Sequence, residues 1–413
     1  MTNTLRVNPD RMLDSFNRLA SIGATAAGGV NRPSLSEAHL AARTWFREEI
    51  ESAGFEFRTD GVGNHSAVLT FQRSNVRTLI LGSHLDSVPD GGRFDGALGV
   101  VAAFEVLQTI KDAGINLNVN LEAMDFTDEE GTLVGLLGSA AISGHLRQKD
   151  LDAPRGGRDK LLEGMQRAGL SDESMLSAVR SKESFAGYLE LHIEQGKRLE
   201  KRGIDIGIVS AIVGIGSYRL SCIGRADHAG TATMDDRLDA SLGAGAFTLA
   251  ARELVMTKFL GGVVNTGKMD FAPGAFNIVP ARVDVALEFR SPTEADFNAM
   301  DEALIVLANE QALRFGLELK IEFLGRHSPT PMSDIAQKAF AEACDELGLS
   351  HTPLTSGAGH DAQSLADLCP VGMIFVPSVD GASHSPREFT KWDDCINGAN
   401  VLLQAALRMS ENS

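Results

Sequence analysis

The chain has 413 residues, more than a single hydrophobic core usually supports, so two domains are expected. Its formal net charge of −17 argues against a polyanionic partner such as nucleic acid, which needs a basic surface. No run of about 18 apolar residues occurs, so no segment is expected to span a membrane. The four cysteines (Cys222, Cys344, Cys369 and Cys395) are scattered without a CxxC pair. They fit free thiols in a reducing compartment, and with no apolar leader in MTNTLRVNPDRML the cytoplasm is expected.

In chain order, Asn8 to Ile22 reads as a helix, and a second begins near Ser36 and stops at Gly54. Short β-rich runs follow, each ending in a polar cluster. Thr78–Gly82 leads into Ser83-His84-Leu85-Asp86, and Val119–Phe126 into Thr127-Asp128-Glu129-Glu130. Tyr188–Leu191 leads into His192-Ile193-Glu194-Gln195. A helical pattern over Leu98–Ala113 separates the first two, which implies α/β architecture with a central, mostly parallel sheet. In such sheets the carboxyl ends of the strands line the ligand crevice, so the three clusters converge on one site. The polar stretch Pro154–Ser184 reads as a surface loop with a short helix.

Beyond Gly207 the pattern changes. A strand over 208–223, a helix over 236–257, strands over 263–270 and 278–289, a helix over 293–314 and a strand over 317–324 give the order βαββαβ. That is the split βαβ of a ferredoxin-like domain. It reads as an insertion over 209–327, which interrupts a catalytic domain made of 1–208 and 328–413. The last part returns to strand–helix units, with Met373–Pro377 and a C-terminal helix.

His84 and Asp86 are two apart at a strand end and point to one side, as suits a metal-bound imidazole backed by a carboxylate. Asp95 lies among Gly91, Gly92 and Gly96, where backbone freedom lets a side chain reach inward. Glu129 and Glu130 repel each other unless a cation offsets their charge. His192 and His384, each alone compatible with a structural role, join His84, Asp95 and Glu130 as a mixed nitrogen and oxygen ligand set. Five such ligands with one carboxylate shared suit two cations roughly 3.5–4 Å apart, which leaves Glu129 as a general base.

Seven ordered motifs carry a resemblance: GSHLDSVPDGGRFDG, FTDEEG, LELHIEQG, DHAGTATM, NIVP, SGAGHDAQ and MIFVPSVDGASHSP. They resemble the M20 metallopeptidase clan, and within it the amidase, hydantoinase/carbamoylase family, over nearly the whole chain. The family includes N-carbamoyl-L-amino-acid hydrolases, β-ureidopropionases, and allantoate and ureidoglycolate amidohydrolases. The resemblance implies His84, Asp95 and His192 as metal ligands, with Asp95 bridging, and Glu130 with His384 on the second ion. It makes Glu129 the base and Asp86 the residue that orients His84. His228 is implied as an oxyanion donor offered from a partner subunit's lid, and Gln195, Asn277, Arg290 and Gly359 as substrate contacts. Arg290 suits a bidentate grip on a carboxylate.

The resemblance further implies two divalent ions per subunit, zinc or manganese with cobalt or nickel as substitutes. It implies a homodimer with shared active sites and hydrolysis of a ureido or amide C–N bond in a small N-carbamoyl-L-amino acid. The alternatives are allantoate or ureidoglycolate hydrolysis, or an N-acyl amino acid or dipeptide hydrolase of the same clan. Three departures stand out. Asp227 precedes His228 where the family often has Asn, and Thr231-Ala232-Thr233-Met234 replaces TTPM. The loop after Glu130 is the short Thr132–Leu137 where many members carry Arg-Phe. SGAGHDAQ reads closer to allantoate hydrolases, whereas VPDGGRFDG reads closer to carbamoylases.

Overall fold

The computed structural model describes residues 4–71 and 76–411. Strands β1 (Glu56–Thr59), β2 (His65–Leu69), β3 (Thr78–His84), β4 (Asn120–Phe126), β5 (Phe185–Ile193) and β6 (Ile206–Ile212) come first. They are followed by β7 (Gly214–Ile223), β8 (Val263–Ala272), β9 (Arg282–Ser291) and β10 (Glu318–His327). The last are β11 (Thr330–Pro331), β12 (His351–Ser356) and β13 (Val371–Val376).

A nine-stranded sheet runs in the order β1-β2-β4-β3-β5-β13-β6-β11, with β12 also paired to β6. Its centre is parallel: β3 pairs with β4 and β5, and β5 with β13. Its margins are antiparallel, at β1/β2, β2/β4, β13/β6 and β6/β11. The parallel strands therefore all end on the same edge, and they are the ones whose ends carry the polar clusters. All nine residues of β5 are buried, as expected of a central strand covered on both faces. The helix Ala97–Asp112 is buried from Ala97 to Leu107 without a break. Its apolar residues therefore run around the whole cylinder instead of forming one stripe. They pack in a core with Met12, Phe16, Phe46, Leu121, Leu189, Phe340 and Leu402.

Local signals set several boundaries. Asn8 caps the helix Pro9–Ser21 through Arg11 N at 3.1 Å, with proline in the first turn. Ser36 caps the helix Glu37–Ser52 through His39 N. From that helix Arg43 reaches inward, donating to Asp125 Oδ2 at 2.7 Å and Thr127 Oγ1 at 2.8 Å. Asp125 Oδ1 in turn accepts from Leu85 N at 2.8 Å, so one buried ion pair ties the exits of β3 and β4 together.

The chain divides into two compact units. One runs to Ser210 and adds Met332–Leu354 and the residues from Gly359 onward; the other is Ala211–Pro331 with Thr355–Ala358. The smaller unit holds a four-stranded antiparallel sheet, order β10-β7-β9-β8, with the helices Ala240–Lys258 and Glu294–Arg314. Phe247, Val285, Leu287, Phe289, Phe297 and Leu304 form its core.

Two expectations need correction. The run 208–223 is two strands, β6 in the large sheet and β7 in the small one, joined through Val213. Gly214 and Gly216 sit at the break, but the β-formers on either side of them read as one continuous run. The stretch Pro154–Ser184 is not a surface loop with a short helix. It holds helices Arg158–Ala168 and Asp172–Leu176, and Leu161, Met165 and Met175 pack in a core with Leu35, Val62 and Leu133. A few apolar side chains at helical spacing anchor a segment that is otherwise polar because its other face meets solvent.

Candidate metal centre

His84 is the last residue of β3 and is buried. Its Nδ1 lies 3.0 Å from the backbone oxygen of Asp86, which places the proton on Nδ1 and leaves Nε2 as a lone-pair donor. That Nε2 is buried without a hydrogen-bond partner, 3.6 Å from Asp95 Oδ1 and 3.5 Å from Glu129 Oε2. His192, near the end of β5, repeats the arrangement: Nδ1 faces Ile193 O at 3.0 Å and Nε2 lies 3.1 Å from Asp95 Oδ1. The second oxygen of Asp95 lies 3.5 Å from His384 Nε2, which is 3.4 Å from Glu130 Oε2.

One carboxylate thus faces two histidines with one oxygen and the third histidine with the other. His84, Asp95 and His192 form one group able to hold a metal ion, and Asp95, Glu130 and His384 a second. A third group, Glu190, His192 and His360, shares His192 and is wholly buried. Three imidazoles and two carboxylates, with an orphaned buried Nε2 among them, fit divalent zinc or manganese.

Asp86 meets both His84 and the acidic pair. Its carboxylate is 3.7 Å from His84 Nδ1, while its two oxygens accept from Glu129 N at 3.3 Å and Glu130 N at 3.4 Å. It therefore holds the backbone of the acidic pair and touches His84 through its carbonyl. Asp128, with φ of 57°, accepts from Leu133, Val134 and Gly135 N–H and ties down the short loop after the pair. Gln195 Nε2 donates to Asp95 Oδ2 at 2.7 Å. Gly359 leaves room for Gln363, whose Oε1 would stand 2.9 Å from a Cβ there.

Burial dominates the electrostatics. It pushes Glu129 well above the usual carboxylate range, against the pull of His84 and reinforced by Asp361, Glu130 and Asp95. Burial likewise raises Asp86 and Glu130 to about 7. Asp95 goes the other way: burial opposes its charge, but His192 and His84 hold it well below the usual value. His84 is raised despite burial, by Glu129, Asp95 and Asp86. Acidic groups crowded in low dielectric are what a divalent ion would relieve, with release of protons on binding.

His228, Asn277 and Arg290 belong to the smaller unit. His228 and Asn277 are exposed and adjacent: His228 bridges to Ile278, and Ala229 N donates to Asn277 O at 3.0 Å. His228 Nδ1 accepts from Gly230 N at 3.1 Å, which leaves Nε2 as the nitrogen able to donate. Arg290 donates through Nε and Nη2 to Glu288 Oε1, at 3.0 and 2.8 Å, and through Nη1 to Gly357 O. Three of its five N–H donors are engaged, and two remain on the terminal nitrogens. Sequence reasoning missed Glu190, His360, Asp361, Ser383 and Glu388. The quoted motifs contained His360 and Asp361 in SGAGHDAQ, Glu190 in LELHIEQG and Ser383 in MIFVPSVDGASHSP, whereas Glu388 lies just beyond the last of them.

Comparison with known proteins bears on this geometry. Residues 80–408 match Peptidase family M20/M25/M40. The chain is 34% identical over 408 residues to an N-carbamoyl-L-amino acid amidohydrolase of Geobacillus stearothermophilus, covering 98% of this chain and 99% of that protein. It is equally 34% identical to an allantoate amidohydrolase of Bacillus subtilis, over 96% of this chain and 97% of the relative. A crystal structure of an amidase of the hydantoinase/carbamoylase family from Burkholderia multivorans superposes with a TM-score of 0.91 at 32% identity, covering 99% of each chain. With motifs, fold and full-length similarity in agreement, the chain belongs to peptidase family M20/M25/M40 and, within it, to the hydantoinase/carbamoylase amidases.

Proposed function

We propose that this chain is a two-metal amidohydrolase that cleaves the ureido C–N bond of N-carbamoyl-L-amino acids. The observation that carries it is Asp95, whose two oxygens face two adjoining ligand groups, one wholly buried and the other reaching solvent at His384. His84 and His192 would hold one ion with Asp95, and Glu130 and His384 the other; zinc or manganese suits these donors, with cobalt or nickel as substitutes. When bound, such a pair supplies an activated water and a polarised carbonyl. Glu129, left outside both ligand groups, takes the proton of the attacking water and returns it to the leaving nitrogen. Asp86 steadies Glu129 and Glu130 through their backbone N–H groups.

His228 donates from Nε2 to the developing oxyanion. Gln195, Asn277, Gly359 and the two remaining terminal N–H donors of Arg290 orient the substrate and its carboxylate. The smaller unit serves as lid and dimerisation domain, so that each site of a homodimer borrows His228. Supporting this are the solvent-facing Leu249, Met256 and Leu260 along and just beyond one helix, exposed by 75%, 58% and 84%. Those exposures are more than isolated surface side chains usually need. The four unpaired thiols fit a cytoplasmic location.

The test is a panel of N-carbamoyl, N-formyl and N-acetyl amino acids plus allantoate, with released amine and ammonia measured. N-carbamoyl-L-amino acids should turn over, chelation should abolish turnover, and Zn²⁺, Mn²⁺ or Co²⁺ should restore it. Allantoate turnover without carbamoyl turnover would select the second reading, which SGAGHDAQ and the Bacillus subtilis relative favour. Full activity in metal-free protein would overturn both.

A further inference from the structure

Glu388 lies four residues beyond His384 and is buried, at 4% exposure. Its Oε1 accepts from Phe94 N at 2.8 Å and from Asp95 N at 3.0 Å. Its Oε2 accepts from Ser383 Oγ at 3.2 Å, and the same hydroxyl lies 3.0 Å from Asp95 Oδ2. Glu388 N also donates to Ser385 O at 3.0 Å, closing the turn that follows His384 directly. One carboxylate therefore grips Asp95 by its backbone and, through Ser383 on the near side of His384, approaches its side chain.

The glycine loop is shaped around this grip. A Cβ on Gly92 would stand 2.0 Å from both Cδ and Oε1 of Glu388, so the side chain occupies the space that only glycine leaves open. The neighbouring contact is equally close: a Cβ on Gly29 would stand 2.2 Å from Gly91 O and 2.9 Å from Pro386 Cα. The contacts of Glu388 go to the segment that aims Asp95.

We propose that Glu388 is the positioning residue of the metal centre, clamping the Asp95 loop to the His384 loop so that Asp95 can serve both ions. The inference rests on the reading of Asp95 as the shared ligand. A carboxylate is suited to the task because it can accept from two backbone N–H groups and a hydroxyl at once. Partners behind a ligand typically change metal affinity by about 10–100-fold when removed, because the ligand loses its orientation.

The test measures Zn²⁺ affinity and stoichiometry, by competition with a chromophoric chelator and by elemental analysis, on protein shown to be folded by circular dichroism. Glu388→Ala should weaken Zn²⁺ binding by about 10–100-fold. Glu388→Gln, which keeps an acceptor oxygen for the two N–H groups, should stay within a few-fold of the parent. Gly92→Ala should reproduce the loss by pushing the carboxylate aside, and Ser383→Ala should cause a smaller one. A merely structural role would lower the melting temperature of these proteins and leave the Zn²⁺ affinity of the folded state unmoved. Should Glu388→Ala fail to fold, Gly92→Ala and Ser383→Ala decide the question by the same readout. If the parent protein binds no Zn²⁺, the reading of the centre fails. If the parent binds it and the folded variants bind it equally well, the positioning role of Glu388 alone is overturned.

Discussion

Glu129 and Glu130 are chemically identical neighbours, and the structure separates them by what each faces. Glu130 Oε2 lies 3.4 Å from His384 Nε2 and its Oε1 accepts from Val88 N at 3.2 Å. Glu129 Oε2 lies 3.5 Å from the Nε2 of His84, and burial raises its proton affinity well above the usual carboxylate range. Replacing Glu129 by Gln should lower kcat by roughly 10²–10⁴ with near-normal metal content, because shape stays and the proton acceptor goes. Glu130→Gln should instead lose one ion per subunit. Elemental analysis alongside steady-state rates distinguishes them, and the opposite pattern would mean that the two roles are exchanged.

At the scale of elements, the site is made where a strand end meets a helix start. Gly96, with φ of 64°, precedes the helix Ala97–Asp112 and lies against the ring of His84 at the end of β3. A Cβ there would come within 2.4 Å of three ring atoms, and Gly96 N donates to His192 Nε2 at 3.3 Å. Gly96→Ala thus combines a left-handed backbone, costing roughly 1–3 kcal/mol, with displacement of a ligand ring. The melting temperature should fall, and the folded variant should hold less metal than the parent. A variant that is destabilised yet fully loaded would show that His84 can move aside without cost to the centre.

For the molecule as a whole, the proposed dimer makes a quantitative claim. His228 belongs to the smaller unit, exposed to solvent, whereas Glu129 belongs to the larger one. If His228 serves the opposite subunit, Glu129→Gln and His228→Ala homodimers are each nearly inactive, yet a mixed dimer has one site free of lesions. Random re-association yields about half mixed dimers, so roughly a quarter of parental activity should return. Differently tagged subunits verify exchange. Exchange without regained activity would show that His228 acts within its own chain or takes no part.

The α/β class, the clusters at strand ends and the family were legible in the sequence because each is written locally. β-rich runs, glycine turns and acidic or histidine motifs keep their meaning whatever surrounds them. The break at Val213 was not legible, since the choice between two sheets depends on which distant strands, β13 or β9, offer edges to pair with. The packing of Pro154–Ser184 was hidden because Leu161, Met165 and Met175 find their partners at Leu35, Val62 and Leu133, far away in the chain. Glu388 was invisible for the same reason: a lone carboxylate acquires its role only when the fold brings it 2.8 Å from Phe94 N. Sequence by itself determined which side chains could bind metal and move protons. Tertiary structure decided which oxygen of Asp95 faces which histidine, because pairing of strands separated by a hundred residues, not local propensity, sets those distances.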